Sequence, residues 1–104
     1  MEGMPKPEVQ LEVRLLPEAS GGRRTAIRPG LYKGVVSVPA GNFSVRWALP
    51  EGLSLHPGGE SALVEAQFLY PEDALPHFPV GATFGIWEGR IIGSGSVVQL
   101  RGGA

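Results

Sequence analysis

The residues best suited to chemistry in this chain are its arginines. Gly21-Gly22-Arg23-Arg24-Thr25 sets two guanidinium groups and a hydroxyl beside a pair of glycines. A turn of that composition can offer backbone amides and planar donor forks to a phosphate. The competing reading is a hairpin turn flanked by solvated arginines. Charge is also uneven along the chain. Between Ser20 and Pro50 the charged residues are Arg23, Arg24, Arg28, Lys33 and Arg46, with no acid among them. Between Glu51 and Glu88 only acids occur: Glu51, Glu60, Glu65, Glu72, Asp73 and Glu88. This predicts either a bipolar surface with a basic patch for phosphates or an acidic partner, or two halves that neutralise each other across neighbouring strands. Exposed ion pairs contribute only about 0–1 kcal/mol, so the second arrangement would be commonplace.

Other candidates are weaker. His56 and His77 sit in separate proline-flanked stretches, without the converging partners that a metal site needs. Ser54 or Ser61 could join His56 and an acid formally, but no nucleophile elbow accompanies them. The absence of cysteine removes disulfides, thiolate zinc sites and cysteine nucleophiles. Trp87 falls out of phase with Phe84 and Ile86, so it is expected to face outward as a stacking surface for a base or a partner side chain, or as cover for the barrel exterior. Tyr32 and Tyr70 offer the same two readings, and for these aromatic residues, Trp47 included, a core or surface-packing role is the favoured one. No enzyme activity and no cofactor are expected.

The elements that must hold these groups are strands. A net charge of −1 and a 42% apolar content fit an ordinary globular domain and disfavour a protein that is basic overall. With 104 residues, one domain is expected over 1–104, with short flexible ends near 1–7 and 101–104. Sixteen glycines and ten prolines cut the chain into short pieces, because both are poor in helix interiors. Val9, Leu11, Val13 and Leu15 alternate with polar residues, and further strands are expected at 31–38, 42–49, 62–68, 82–88 and 91–100. Ala40-Gly41-Asn42 reads as a hairpin turn, and Gly89-Arg90 joins the last two strands tightly. Gly93 and Gly95 predict a bend or a close backbone approach. Three prolines between Pro71 and Pro79 exclude a central strand or a long helix there. Six or seven strands of this kind predict an all-β domain, and closure into an antiparallel barrel would remove its exposed edges. No signal peptide or membrane span is read, which predicts a cytoplasmic protein.

Several stretches together resemble the C-terminal domain of elongation factor Tu. Gly21-Gly22-Arg23-Arg24-Thr25 is similar to that family's Gly-Gly-Arg-x-Thr turn, and Arg28-Pro29-Gly30-Leu31-Tyr32 to its Arg-Pro-x-Phe-Tyr strand entry. Leu49-Pro50-Glu51-Gly52 and Pro57-Gly58 resemble its Leu-Pro-Glu-Gly and Pro-Gly-Asp. Phe84-Gly85-Ile86-Trp87-Glu88-Gly89-Arg90 and Gly93-Ser94-Gly95-Ser96-Val97-Val98 resemble Phe-Ala-Ile-Arg-Glu-Gly-Gly-Arg and Gly-Ala-Gly-Val-Val. The resemblance runs in order from Val9 to Leu100 and implies a closed six-stranded antiparallel barrel. The chain departs from the family in lacking a phosphate-binding loop, so no nucleotide is expected. It is also shortened between Thr25 and Arg28, has one glycine fewer at Glu88-Gly89-Arg90, and carries Tyr70 where the family has a lysine.

In the full-length factor this domain helps hold the T stem of aminoacyl-tRNA, and of the positions involved Thr25 and Gly89 are the two that carry over. The resemblance therefore implies a non-enzymatic binding module for RNA, tRNA included, or for a translation-associated protein. Its expected contact residues are Arg23, Arg24, Thr25, Arg28, Gly89 and Arg90. The alternative is a protein–protein adaptor using exposed Trp87, Leu63 or Tyr70. The sequence assigns no oligomeric state.

Overall fold

A computed structural model describes residues 6–101, so most of the ends expected to be flexible lie outside the described residues. Six strands form: β1 (Val9–Leu15), β2 (Gly30–Val38), β3 (Gly41–Leu49), β4 (Ala62–Phe68), β5 (Thr83–Trp87) and β6 (Ile91–Leu100). One four-residue helix, α1 (Pro71–Ala74), follows β4. Each strand pairs with two neighbours, all antiparallel, and the order β1-β4-β3-β2-β5-β6 closes on itself. The protein is a closed six-stranded antiparallel β-barrel. Closure leaves no outer strand, so no sheet edge runs the length of the domain.

Alternation decides which way each side chain points. Val9, Leu11, Val13 and Leu15 of β1 are all buried, and Val45, Trp47 and Leu49 of β3 and Ala62, Val64, Ala66 and Phe68 of β4 meet them inside. No polar or charged residue is buried among those described. Trp47 is the largest interior side chain; its ring lies 4.8 Å from that of Tyr32 at 31°, and its Nε1 has no hydrogen-bond partner. Gly95 permits the close approach that its strand position predicts. A Cβ there would stand 2.5 Å from the Glu12 carbonyl and 2.6 Å from the Phe84 ring.

The first hairpin differs by one residue from the expected turn. Val38 pairs with Gly41, so Pro39 and Ala40 form the loop, and Asn42 already belongs to β3. Proline fits there because its φ is preset for a turn and its missing amide costs no ladder bond.

Both barrel ends are plugged. At the end where β4 finishes, α1 runs into a short 3₁₀ turn over Leu75–His77, which delivers Phe78 into the interior with no exposed surface. Its ring centroid lies 4.8 Å from Phe68, 5.7 Å from Phe43 and 5.9 Å from Phe84. At the opposite end Ile27 and Leu55 exchange a pair of 2.9 Å backbone hydrogen bonds, and both side chains are buried. The expected arginine-bearing turns lie at this second end.

Candidate functional site

The turn at Gly21 and the β5–β6 hairpin are far apart in sequence and touch in space. Between Trp87 and Ile91 the loop is Glu88-Gly89-Arg90, closed by a 2.8 Å bond from the Glu88 amide to the Arg90 carbonyl. Gly89 takes φ +76°, the left-handed conformation that a three-residue hairpin loop of this kind requires. Arg90 then reaches across to the other turn. Its Nε donates to the Gly21 carbonyl at 2.7 Å and an Nη to the Gly22 carbonyl at 3.3 Å.

Arg23 completes the junction from the other side. One Nη donates to Glu88 at 3.3 Å and the other to the Thr25 hydroxyl at 3.4 Å. The same Glu88 oxygen accepts a short hydrogen bond from the Tyr32 hydroxyl. Burial pushes the Tyr32 phenol well above its usual value, and the bond to Glu88 and the Glu88 charge push it further the same way. Arg24 points elsewhere, 3.6 Å from Glu18, with 87% of its side chain exposed. Arg28 is exposed and has no ion pair among the described residues.

The structure thus brings together Arg23, Thr25, Gly89 and Arg90, while Arg24 pairs with Glu18 instead. The arginines that meet are spent largely on Glu88, Thr25 and two backbone carbonyls, groups that a phosphate would have to replace. Cross-strand neutralisation recurs on the far wall, where Arg101 binds both oxygens of Glu65 at 2.9 Å. Those bonds hold the Glu65 carboxyl below the usual carboxylate range against a smaller opposing effect of burial.

A second surface comes from the outer wall. Val35 of β2 stands opposite Trp87 of β5 and Ser44 of β3, and the Leu69 amide bonds to the Ser44 carbonyl at 3.0 Å. The outward residues along that line are therefore Trp87, Val35, Ser44 and Leu69, with Ile91 beside Trp87 over the outer side of Gly85. Trp87 is 39% exposed, Ile91 43% and Leu69 63%. Trp87 faces outward, as its phase in the strand predicts. Tyr70 follows Leu69 and is exposed, whereas Leu63 stands opposite Glu12, away from this line.

The next line of outward residues is polar. Lys33 of β2 lies directly opposite Arg46 of β3, and Arg46 opposite Gln67 of β4. Arg46 donates through Nε at 2.9 Å and through an Nη at 2.6 Å to the Gln67 amide oxygen. Among the described residues no carboxylate lies within ion-pairing distance of Lys33 or Arg46. Val35, Ser44 and Leu69 of the first line, the Lys33, Arg46 and Gln67 line, and Pro71 bound an open depression of about 660 Å³ that includes Glu8, with Trp87 and Ile91 outside its lining. The Glu8 carboxylate is occupied by the Phe68 amide at 2.8 Å. The sequence placed Lys33 and Arg46 within the basic stretch but gave no sign that they meet, because only the register makes them neighbours.

The remaining sequence candidates are placed as follows. His77 stacks on Phe43 with centroids 5.4 Å apart, His56 is exposed, and the Ser61 hydroxyl donates to Glu12 at 2.8 Å. No cluster of three or more metal-ligating side chains occurs among the described residues. No helix among them is long and apolar enough to cross a membrane.

The class that fold and surface define is a small closed β-barrel with an apolar and cationic outer wall. A scan of protein-family models finds none that matches the chain, and a search of curated proteins finds no match either.

Proposed function

We propose that this barrel is a non-enzymatic binding module of the elongation factor Tu C-terminal type, docking on a translation-associated protein through its outer wall. The observation that carries this reading is the outward line of Trp87, half-buried Val35, Ser44 and Leu69, with Ile91 beside Trp87, whose Val35-to-Leu69 part lines an open depression. Apolar area of that kind gains free energy when a partner covers it, and aromatic residues at such places commonly dominate binding. The link to the translation factor rests on the motif resemblance. Two of its motifs, the Gly21 turn and the Glu88 hairpin, are joined through Arg90, and this supports it further.

The test is affinity capture from nuclease-treated lysate with the wild-type chain and with Trp87→Ala. A stoichiometric protein retained by the first and lost by the second is the expected result. Retention that disappears with nuclease treatment would overturn the reading.

A second reading, RNA binding that includes tRNA, draws on Arg28, which has no ion pair among the described residues, and on the exposed Arg24. It predicts binding that weakens with salt at a log–log slope of roughly −0.7 to −0.9 per phosphate neutralised. Filter binding at low salt with Arg24→Glu and Arg28→Glu decides it. Undetectable affinity, or affinity unchanged by both substitutions, removes RNA from consideration.

A further inference from the structure

Lys33 and Arg46 are outward-facing, directly opposed like charges on paired strands, an arrangement that destabilises a sheet. Three arginines elsewhere are matched with carboxylates, Arg23 with Glu88, Arg24 with Glu18 and Arg101 with Glu65, and Arg90 is held by two backbone carbonyls. Here the side-chain contact among the described residues is with a neutral amide. Gln67 takes the Nε and one Nη of Arg46, which orients the guanidinium without neutralising it and leaves donors free. An oriented, uncompensated guanidinium beside an ammonium is a seat for an anion.

Resting on the protein-docking reading above, we propose that Lys33 and Arg46 receive a carboxylate side chain from an extended acidic and apolar segment of the partner. The apolar residues of that segment lie on Val35, Leu69 and Trp87. From Trp87 to Leu69 the wall spans three strand spacings of about 4.8 Å, roughly 14 Å, the reach of about four extended residues. A depression of about 660 Å³ suits such a segment. Charge complementarity selects an acidic one. A polyanionic backbone fits less well, because the lining of the depression offers two cations, Lys33 and Arg46, against one carboxylate, Glu8, and no third cation to follow successive phosphates.

The probe is the blocked peptide Asp-Leu-Asp-Leu, titrated into ¹⁵N-labelled protein, with Asn-Leu-Asn-Leu and oligouridylate as comparisons. The aspartate peptide is expected to shift the amides of Lys33, Val35, Arg46 and Leu69. The asparagine peptide should bind about tenfold more weakly or less, as should the aspartate peptide to Lys33→Gln or Arg46→Gln. Lys33→Gln relieves repulsion and is expected to melt no lower than the wild type, so its loss of binding would not reflect unfolding. Equal affinity for the two peptides, even with binding abolished by Trp87→Ala, would overturn the acidic seat while leaving the docking face intact. Absence of shifts at millimolar peptide, or tighter binding of oligouridylate at the same amides, would overturn it as well.

Discussion

At the scale of single residues, the charges of this barrel divide into those consumed by the fold and those left over. Arg23, Arg90 and Arg101 are consumed. Lys33 and Arg46 are left facing each other, and a directly opposed like-charged pair costs about 0.2–1 kcal/mol. Lys33→Gln should therefore raise the unfolding free energy by about that amount in urea denaturation, an unusual sign for a substitution on a well-formed strand. Glu65 behaves oppositely. Its carboxyl lies below the ordinary 4.5 because of the Arg101 bonds, so the folded state binds that proton less readily than the unfolded chain. The stabilisation is present above the ordinary value and is lost as pH falls through the depressed one. The stability difference between the wild type and Glu65→Gln should accordingly shrink in denaturation curves taken at progressively lower pH below about 4.5. The arginine-rich turn was legible from sequence as a cluster, but the identity of its partners was not. Glu88 lies 65 residues from Arg23, and only the paired strands bring them together.

At the scale of elements, the strands followed from alternation because each has one wet and one dry face, and burial along β1 and β4 repeats with period two. The plug at the barrel end carried no such signal. Pro71, Pro76 and Pro79 mark the stretch as neither a central strand nor a long helix, and that exclusion holds. What remained hidden was that α1 and the following turn drive Phe78 among Phe43, Phe68 and Phe84. Periodicity cannot find a single inward residue in an irregular segment. Because Phe78 is fully buried among three aromatic rings, Phe78→Ala should cost about 3–5 kcal/mol, read as a lower denaturation midpoint with an unchanged slope. The β5–β6 loop makes a smaller demand. Gly89 at φ +76° should resist replacement, and Gly89→Ala is expected to cost about 1–2 kcal/mol through backbone strain, since nothing lies within 4 Å of the added carbon.

At the scale of the whole molecule, closure makes the two ends of the barrel separately latched rather than uniformly rigid. One end is held by apolar packing around Phe78. The other is held by Arg90 on the Gly21 and Gly22 carbonyls and by Arg23 and Tyr32 on Glu88. The barrel itself could be read from strand number and turn spacing, yet the strand order β1-β4-β3-β2-β5-β6 could not, because alternation says which face is buried and not which strand lies alongside. The polar latch predicts a local rather than global response. Arg90→Met keeps the aliphatic stem and removes both donors, so the Gly21 turn should detach while the core strands stay paired. Amide exchange should then accelerate over 18–25 and at Glu88, with the amides of Val64, Ala66 and Phe78 keeping their protection. Uniform acceleration across all of these would mean that the latch stabilises the entire barrel. The alkaline arm of the same experiment carries the sign of the raised Tyr32 phenol. Its protonated form is favoured by folding, so the latch contribution is complete below pH 10 and fades as the phenol finally ionises above it. Ultraviolet titration of the two tyrosines should show a late phenolate step that Tyr32→Phe removes.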